Sequence, residues 1–252
     1  MTDVIDLTPY SFVDFGCGDG RSLELGRRLL GGARGLGLDS DLSRIEDVRR
    51  RGFDAIEVDA ARLPRTRGSV EFCVLSHFLE HLTGFKDAER CLKQAIALSS
   101  RFVYVQQPWF DSDSFLLRRG LKLYWSDWSG HPNRMNSLAF QTILWPLRQR
   151  GRIARYCIAG RDRIETSASP EVHPLTSPTN SQEWNDEVDG PKPHLVFDEC
   201  VYRELVVVVA ISDATAVEDV LSRVKAVEIF VDSNEMGGTE VAAEPATPEP
   251  SS

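Results

Sequence analysis

Five cysteines occur in 252 residues, at Cys17, Cys73, Cys91, Cys157 and Cys200, and no two form a CxxC pair. This scatter argues against a cysteine-based zinc site and a disulfide framework, and predicts a reducing, cytoplasmic setting. No run of about 18 apolar residues is present, so neither a membrane span nor a membrane partner is expected. The first residues, Met1-Thr2-Asp3-Val4-Ile5-Asp6, lack a basic stretch followed by an apolar one, and no secretory leader is expected there. Positive charge is also scarce: 29 Lys and Arg stand against 38 Asp and Glu, a net charge of −9. From Asp213 onward nine acidic residues face two basic ones, a net −7, which leaves −2 for the rest. Neither part carries the basic footprint of a general nucleic-acid binder, and no nucleic-acid partner is expected. The one basic run, Arg49-Arg50-Arg51, reads as a solvated helix end.

What is present centres on Phe12-Val13-Asp14-Phe15-Gly16-Cys17-Gly18-Asp19-Gly20. An apolar run enters a loop with glycine at every second position. Arg21 to Leu30 follows with helical spacing of its leucines. Strand, glycine loop and helix in that order build a nucleotide-binding turn, in which glycines permit positive φ and close approach of a ligand. The charges narrow the ligand. A pyrophosphate would sit against the helix N-terminus, but Asp14 and Asp19 flank this loop and would repel it. S-adenosylmethionine, with a sulfonium, an ammonium and no phosphate, suits these carboxylates. Cys17 reads as a small filler within the loop.

Further strands are expected at Gly35–Asp39, Ala55–Asp59, Val70–Ser76, Phe102–Val105, Arg152–Ile158 and Tyr202–Ile211. Helices are expected at 43–51, 87–98, 137–150 and 216–227. The strand–helix alternation predicts an α/β fold, a Rossmann-like doubly wound sheet, mostly parallel with an antiparallel last strand. Residues 1–212 read as one domain, with an inserted aromatic segment at 109–136 and a long polar loop at 162–200. Residues 213–252 read as an acidic helix and tail, disordered from about 237.

In such a sheet ligands gather at the carboxyl ends of the strands, near the point where strand order reverses. Asp39, with Ser40 beside it, ends the second strand nineteen residues after Gly20, where a carboxylate can accept from both ribose hydroxyls. Its competing role is as a helix cap, for which Asp41 also qualifies. Asp59 and Ala60 end the third strand. The carboxylate can accept from an adenine amino group while the Ala60 N–H donates to a ring nitrogen, or Asp59 can simply close a turn. Ser76 and His77 end the fourth strand, opposite the glycine loop, beside the methionine part of such a cofactor. Glu80 and His81 follow and can orient the loop instead.

Together Val13 to Gly20, Gly37-Leu38-Asp39, Asp59-Ala60-Ala61-Arg62-Leu63-Pro64 and Leu79-Glu80-His81-Leu82 resemble a class I S-adenosylmethionine-dependent methyltransferase, of the small-molecule, methyltransferase-11-like group. The resemblance covers about residues 10 to 108. It implies the seven-stranded methyltransferase fold. With the strand-end reading, the expected cofactor site is Asp14, Gly16, Cys17, Gly18, Gly20, Asp39, Ser40, Asp59, Ala60, Ser76 and His77. The glycine loop would pass the methionine part, Asp39 would hold the ribose, and Asp59 with Ala60 the adenine. About ten residues precede the first strand, so a cover over the cofactor is expected from the aromatic segment 109–136.

The methyl group on a sulfonium is already activated, and the protein mainly aligns the acceptor. An aliphatic hydroxyl additionally needs a base or a metal. His131 is the candidate base, with a structural loop histidine as its plain alternative. Asp111-x-Asp113 can assist or bind a metal, but the pattern alone does not define a site, and no metal ligands are assigned. Gln106-Gln107-Pro108-Trp109 follows the fifth strand and lacks a second proline, unlike the Asn/Asp-Pro-Pro-aromatic motif of enzymes that methylate nucleic-acid amino groups. The expected reaction is methyl transfer to a small molecule, with a hydroxyl of a sugar or related metabolite as the acceptor group. A protein or RNA acceptor, or a non-catalytic cofactor-binding scaffold, are the alternatives.

Overall fold

Alternation along the strands sets up two cores on the two faces of one sheet. The computed structural model describes residues 4–182, 184–225 and 227–237. In β1 (Phe12–Phe15), Val13 and Phe15 face one core while Phe12 faces the other. β2 (Gly35–Asp39), β3 (Asp54–Glu57), β4 (Val70–Ser76) and β5 (Ser99–Pro108) continue the pattern in parallel. Phe12, Phe72 and Phe102 stack across β1, β4 and β5, with ring centroids 5.0 and 4.6 Å apart. Such cross-strand aromatic contacts help fix the register.

β6 (Arg155–Arg163) and β7 (Tyr202–Ala210) complete the expected set, and β7 inserts antiparallel between β5 and β6. Its valine run is buried on both faces, Val207 and Val209 in one core, Val206 and Val208 in the other. An eighth strand, β8 (Val227–Asp232), pairs antiparallel with β6 and gives the order β8-β6-β7-β5-β4-β1-β2-β3. This edge strand was not expected, because 216–227 reads as a helix and the residues after it as an acidic tail. It is held by the β6 ladder, by Phe230 packed edge-on against Trp109, and by Arg155, which binds Asp232.

Helices α1 (Arg21–Arg28), α2 (Leu42–Arg50), α3 (Phe85–Leu98), α4 (Ser137–Gln149) and α5 (Ala216–Arg223) cover the sheet. Asp41 caps α2 by accepting the Ser43 and Arg44 N–H groups, so the capping role considered for Asp39 falls to its neighbour.

The aromatic segment and the polar loop join rather than hang free. Leu121–Leu123 pairs antiparallel with Val172–Pro174, and Tyr124 donates its N–H to the Glu171 carbonyl. Trp109, Phe110, Phe115 and Trp125 are buried, so most of the aromatic segment packs the core instead of forming an open stacking surface. The disorder expected from about residue 237 falls on residues 238–252, outside the described ones. Among the described residues no helix is long and apolar enough to cross a membrane.

Candidate active site

The strand order reverses at β1, which lies between β2 and β4. Neighbouring strands there send their following loops to opposite sides, and a crevice opens at their carboxyl ends. The result is a cleft of about 1160 Å³. Its floor is the glycine loop. Gly16 and Cys17 N–H groups both donate to the Leu38 carbonyl, at 2.8 and 2.9 Å, and tie the loop to the end of β2. Gly16, Gly18 and Gly20 have φ of 71°, 52° and 84°, the left-handed region that glycine enters without penalty. At Gly16 a second reason applies: a Cβ there would lie 2.2 Å from Cδ2 of Phe78.

Of the eleven residues expected at the cofactor, Gly16, Cys17, Gly18, Asp39, Ser40, Asp59, Ala60, Ser76 and His77 line this cleft. Asp14 and Gly20 do not. Gly20 precedes α1 and donates its N–H to the Cys17 carbonyl, which closes the loop from below. Asp14 is fully buried beneath the loop, where Oδ2 accepts from the Ser22 hydroxyl. Burial pushes its carboxyl up to about 8, against the Ser22 hydrogen bond and with help from nearby Asp39. Asp14 is linked to the cleft by its hydrogen bond to Ser22, which does line it.

Asp39 is 8% exposed, and both its oxygens are engaged: Oδ2 accepts the Gly18 N–H at 2.9 Å and Oδ1 the Asp41 N–H at 3.0 Å. Each oxygen keeps a further acceptor direction, so the carboxylate can shape the loop and still receive hydroxyl hydrogens. Asp59 caps a short turn by accepting the Ala61 N–H at 2.9 Å, while the buried Ala60 lies at the cleft edge. The Cys17 thiol is raised by burial, with Asp14 and Asp39 adding to it, which makes it a poor nucleophile and fits the filler role.

The opposite wall contains Phe78, His81, Gln106, Tyr124, Arg203 and Glu204. The sequence points to the turn at His81 and to the aromatic segment that holds Tyr124, but not to Gln106, Arg203 and Glu204 as site residues. His77 itself has φ of 51°, unusual for a non-glycine residue, and donates its N–H to the Gln106 carbonyl at 2.7 Å. Its Nε2 lies 3.2 Å from Glu204 Oε1, and Nδ1 lies 3.4 Å from Glu80 Oε1. Burial lowers the imidazole, but the hydrogen bond to Glu204 and the nearby Glu80 carboxylate outweigh it and lift the group to about 9. Gln106 donates to Glu204 at 2.8 Å, and Arg161 reaches Glu204 at 3.3 Å. A signal was available in the sequence: Gln106 and Glu204 are polar residues at the ends of otherwise apolar strands.

His131 does not line the cleft. It is 5% exposed, packed edge-on against Trp128 and Phe110, with its ring centroid 5.1 Å from that of His81. Burial holds its imidazole below the ordinary histidine value. A direct general-base contact is therefore not what this position offers; His77 and His81 are the histidines that line the cleft. Asp111 accepts from Ser137 and Asp113 from Ser126, which accounts for both carboxylates structurally.

Residues 13–98 match the family model described as a methyltransferase domain. No curated protein matches the chain. Solved structures do. A SAM-dependent methyltransferase from Archaeoglobus fulgidus is 16% identical, with 83% of this chain and 87% of that chain covered and a TM-score of 0.51. A Bacillus halodurans C-125 protein, provisionally classed as a methyltransferase, is 12% identical over 81% of this chain and 93% of that one, with a TM-score of 0.52. The plantazolicin methyltransferase BpumL, solved with a pentazolic desmethylPZN analog and SAH, is 16% identical over 83% of this chain and 77% of that one, with a TM-score of 0.50. At these identities the likeness is one of fold.

Proposed function

We propose that the chain is a class I S-adenosylmethionine-dependent methyltransferase that transfers the methyl group to a hydroxylated small molecule, a reading supported by the methyltransferase-domain match over residues 13–98. The observation that carries the cofactor side is the pairing of charges in the cleft. Its arginines are already answered: Arg21 lies 2.8 Å from Asp19, Arg44 lies 3.5 Å from Asp41, and Arg203 lies 3.1 Å from Glu171. Asp39 and Asp59 remain at the strand ends with acceptor capacity to spare. A dinucleotide pyrophosphate would find no free cationic cradle there, whereas an adenosyl group with a cationic tail meets acceptors.

The acceptor side rests on the far wall. His81, Tyr124, Arg203 and Glu204 give a polar, partly aromatic surface inside a concave cleft, the kind that orients a small hydroxylated molecule. The near-neutral body of the chain speaks for the same class over RNA. In the transfer itself, the residues hold the acceptor oxygen in line with the methyl carbon and the departing sulfur.

Calorimetry with S-adenosylmethionine, S-adenosylhomocysteine and NAD tests the cofactor, and tight binding of NAD alone would refute the reading. A screen of acceptor classes with radiolabelled methyl donor tests the acceptor. With an accepted hydroxyl compound, Tyr124→Ala is expected to raise the acceptor KM about tenfold, the scale of one lost contact. Its affinity for S-adenosylhomocysteine should stay within about twofold. Transfer to RNA or protein substrates only would overturn the small-molecule assignment.

A further inference from the structure

One cluster beside the cleft is not used by cofactor binding. Glu80 and His81 lie in the turn after β4, and His131 lies in the segment before α4. Two separate stretches of chain are knitted together there. Asn133 donates its side-chain amide to the Leu79 carbonyl at 2.9 Å and its N–H to the Glu80 carbonyl at 3.2 Å. His81 Nδ1 lies 2.8 Å from the Gly130 carbonyl, and His131 Nδ1 lies 3.3 Å from the Trp125 carbonyl. A carbonyl only accepts, so in each ring Nδ1 carries the hydrogen and Nε2 keeps a lone pair. Metal-bound imidazoles are held in this way, with the outer N–H fixed by a carbonyl or carboxylate.

The third member supplies the charge. Glu80 is fully buried, and neither carboxylate oxygen has a hydrogen-bond partner among the described residues. A buried carboxylate so placed is costly unless a cation answers it. His77, with Nδ1 at 3.4 Å from Oε1, answers one side only. One ligating atom from each of Glu80, His81 and His131 lies within 4.8 Å of the others.

We propose that Glu80, His81 and His131 bind a zinc-class divalent metal at the wall of the cleft, where it takes the acceptor oxygen. Two imidazoles and one carboxylate suit a borderline transition metal rather than magnesium or calcium, which prefer all-oxygen shells. Three protein ligands leave a position for substrate, as in catalytic zinc sites. Metal–nitrogen bonds of about 2.0–2.1 Å require the donors to draw closer than they now stand. The exposed His81 ring, on the cleft wall, has room to do so.

The metal's role rests on the methyl-transfer reading. A hydroxyl bound to the metal ionises more readily and releases its proton to solvent. The oxygen then attacks the sulfonium methyl carbon. The carbon–sulfur bond breaks with its electron pair passing to sulfur, which leaves the neutral thioether, S-adenosylhomocysteine, and the methyl ether.

The test is titration of the metal-stripped full chain with Co²⁺, followed by visible absorption, with Zn²⁺ as competitor. One equivalent of Co²⁺ is expected, giving bands that zinc abolishes. Binding should weaken at least tenfold in His81→Ala, His131→Ala and Glu80→Gln, and stay unchanged in His194→Ala, which lies outside the cluster. His81 is exposed, so its variant decides the matter even if the buried ones fail to fold. No stoichiometric Co²⁺ binding, or equal binding in His81→Ala and the parent chain, overturns the site. Calorimetry of the metal-stripped chain with S-adenosylhomocysteine is run separately. Its failure would remove the methyltransferase reading and leave the metal result standing.

Discussion

The Asp39 carboxylate accepts the Gly18 N–H at 2.9 Å, so the residue expected at the ribose also shapes the loop expected at the methionine part. One substitution therefore acts on both. Asp39→Ala is expected to weaken S-adenosylhomocysteine binding by about 1–3 kcal/mol, the scale of charge-assisted hydrogen bonds lost. Asp39→Asn, which keeps an acceptor for Gly18, should lose less. Calorimetry on both variants checks this, and equal losses would place the whole effect in the missing charge.

Gly16 combines φ of 71° with a Cβ position 2.2 Å from the Phe78 ring. Gly16→Ala must both adopt a strained backbone and displace an aromatic side chain. A destabilisation of about 1–3 kcal/mol is expected from the overpacking. The double variant Gly16→Ala/Phe78→Ala should recover part of the cofactor affinity lost in the single one. Denaturant melts with calorimetry would show it, and strict additivity would mean that Phe78 is not the obstacle.

Asp14 gives the chain an uncommon pH dependence. Its folded-state value, about 8, lies above the ordinary carboxylate value because the group is buried. Between these two values the folded chain holds a proton that the unfolded chain has lost. More protons bound in the native state means that stability falls as pH rises through that window. Asp14→Asn keeps an acceptor for Ser22 and removes the titration, so its stability should be flatter between pH 5 and 9. Thermal midpoints across that range measure the difference, and identical slopes for the two proteins would refute the assignment.

At the far edge of the sheet, Arg155 binds Asp232 and Glu218, and both Arg155 and Asp232 are about nine-tenths buried. Removing one partner strands the other. Arg155→Ala is expected to cost about 3–5 kcal/mol and to free β8, while Arg155→Ala/Asp232→Asn should cost less. Hydrogen exchange across residues 227–232 reports the edge strand directly. Retained protection in Arg155→Ala would show that the ladder to β6 suffices.

The local pattern by itself determined the strand–loop–helix turn at 12–28, the succession of strands to Tyr202, and the placement of Asp39, Asp59 and His77 at strand ends. Each of these follows from short-range rules: period-two burial, glycine where φ must be positive, and strand ends that converge once a parallel sheet forms. Only the tertiary structure decided the rest. Asp14 sank beneath the loop because β1 is central and buried on both faces. The aromatic segment entered the core because Leu121–Leu123 found Val172–Pro174, fifty residues away. His131 moved behind His81 because Asn133 clamps two backbone carbonyls of a distant turn. Pairings of that kind depend on long-range contacts between segments that look independent in sequence, and no local periodicity encodes them.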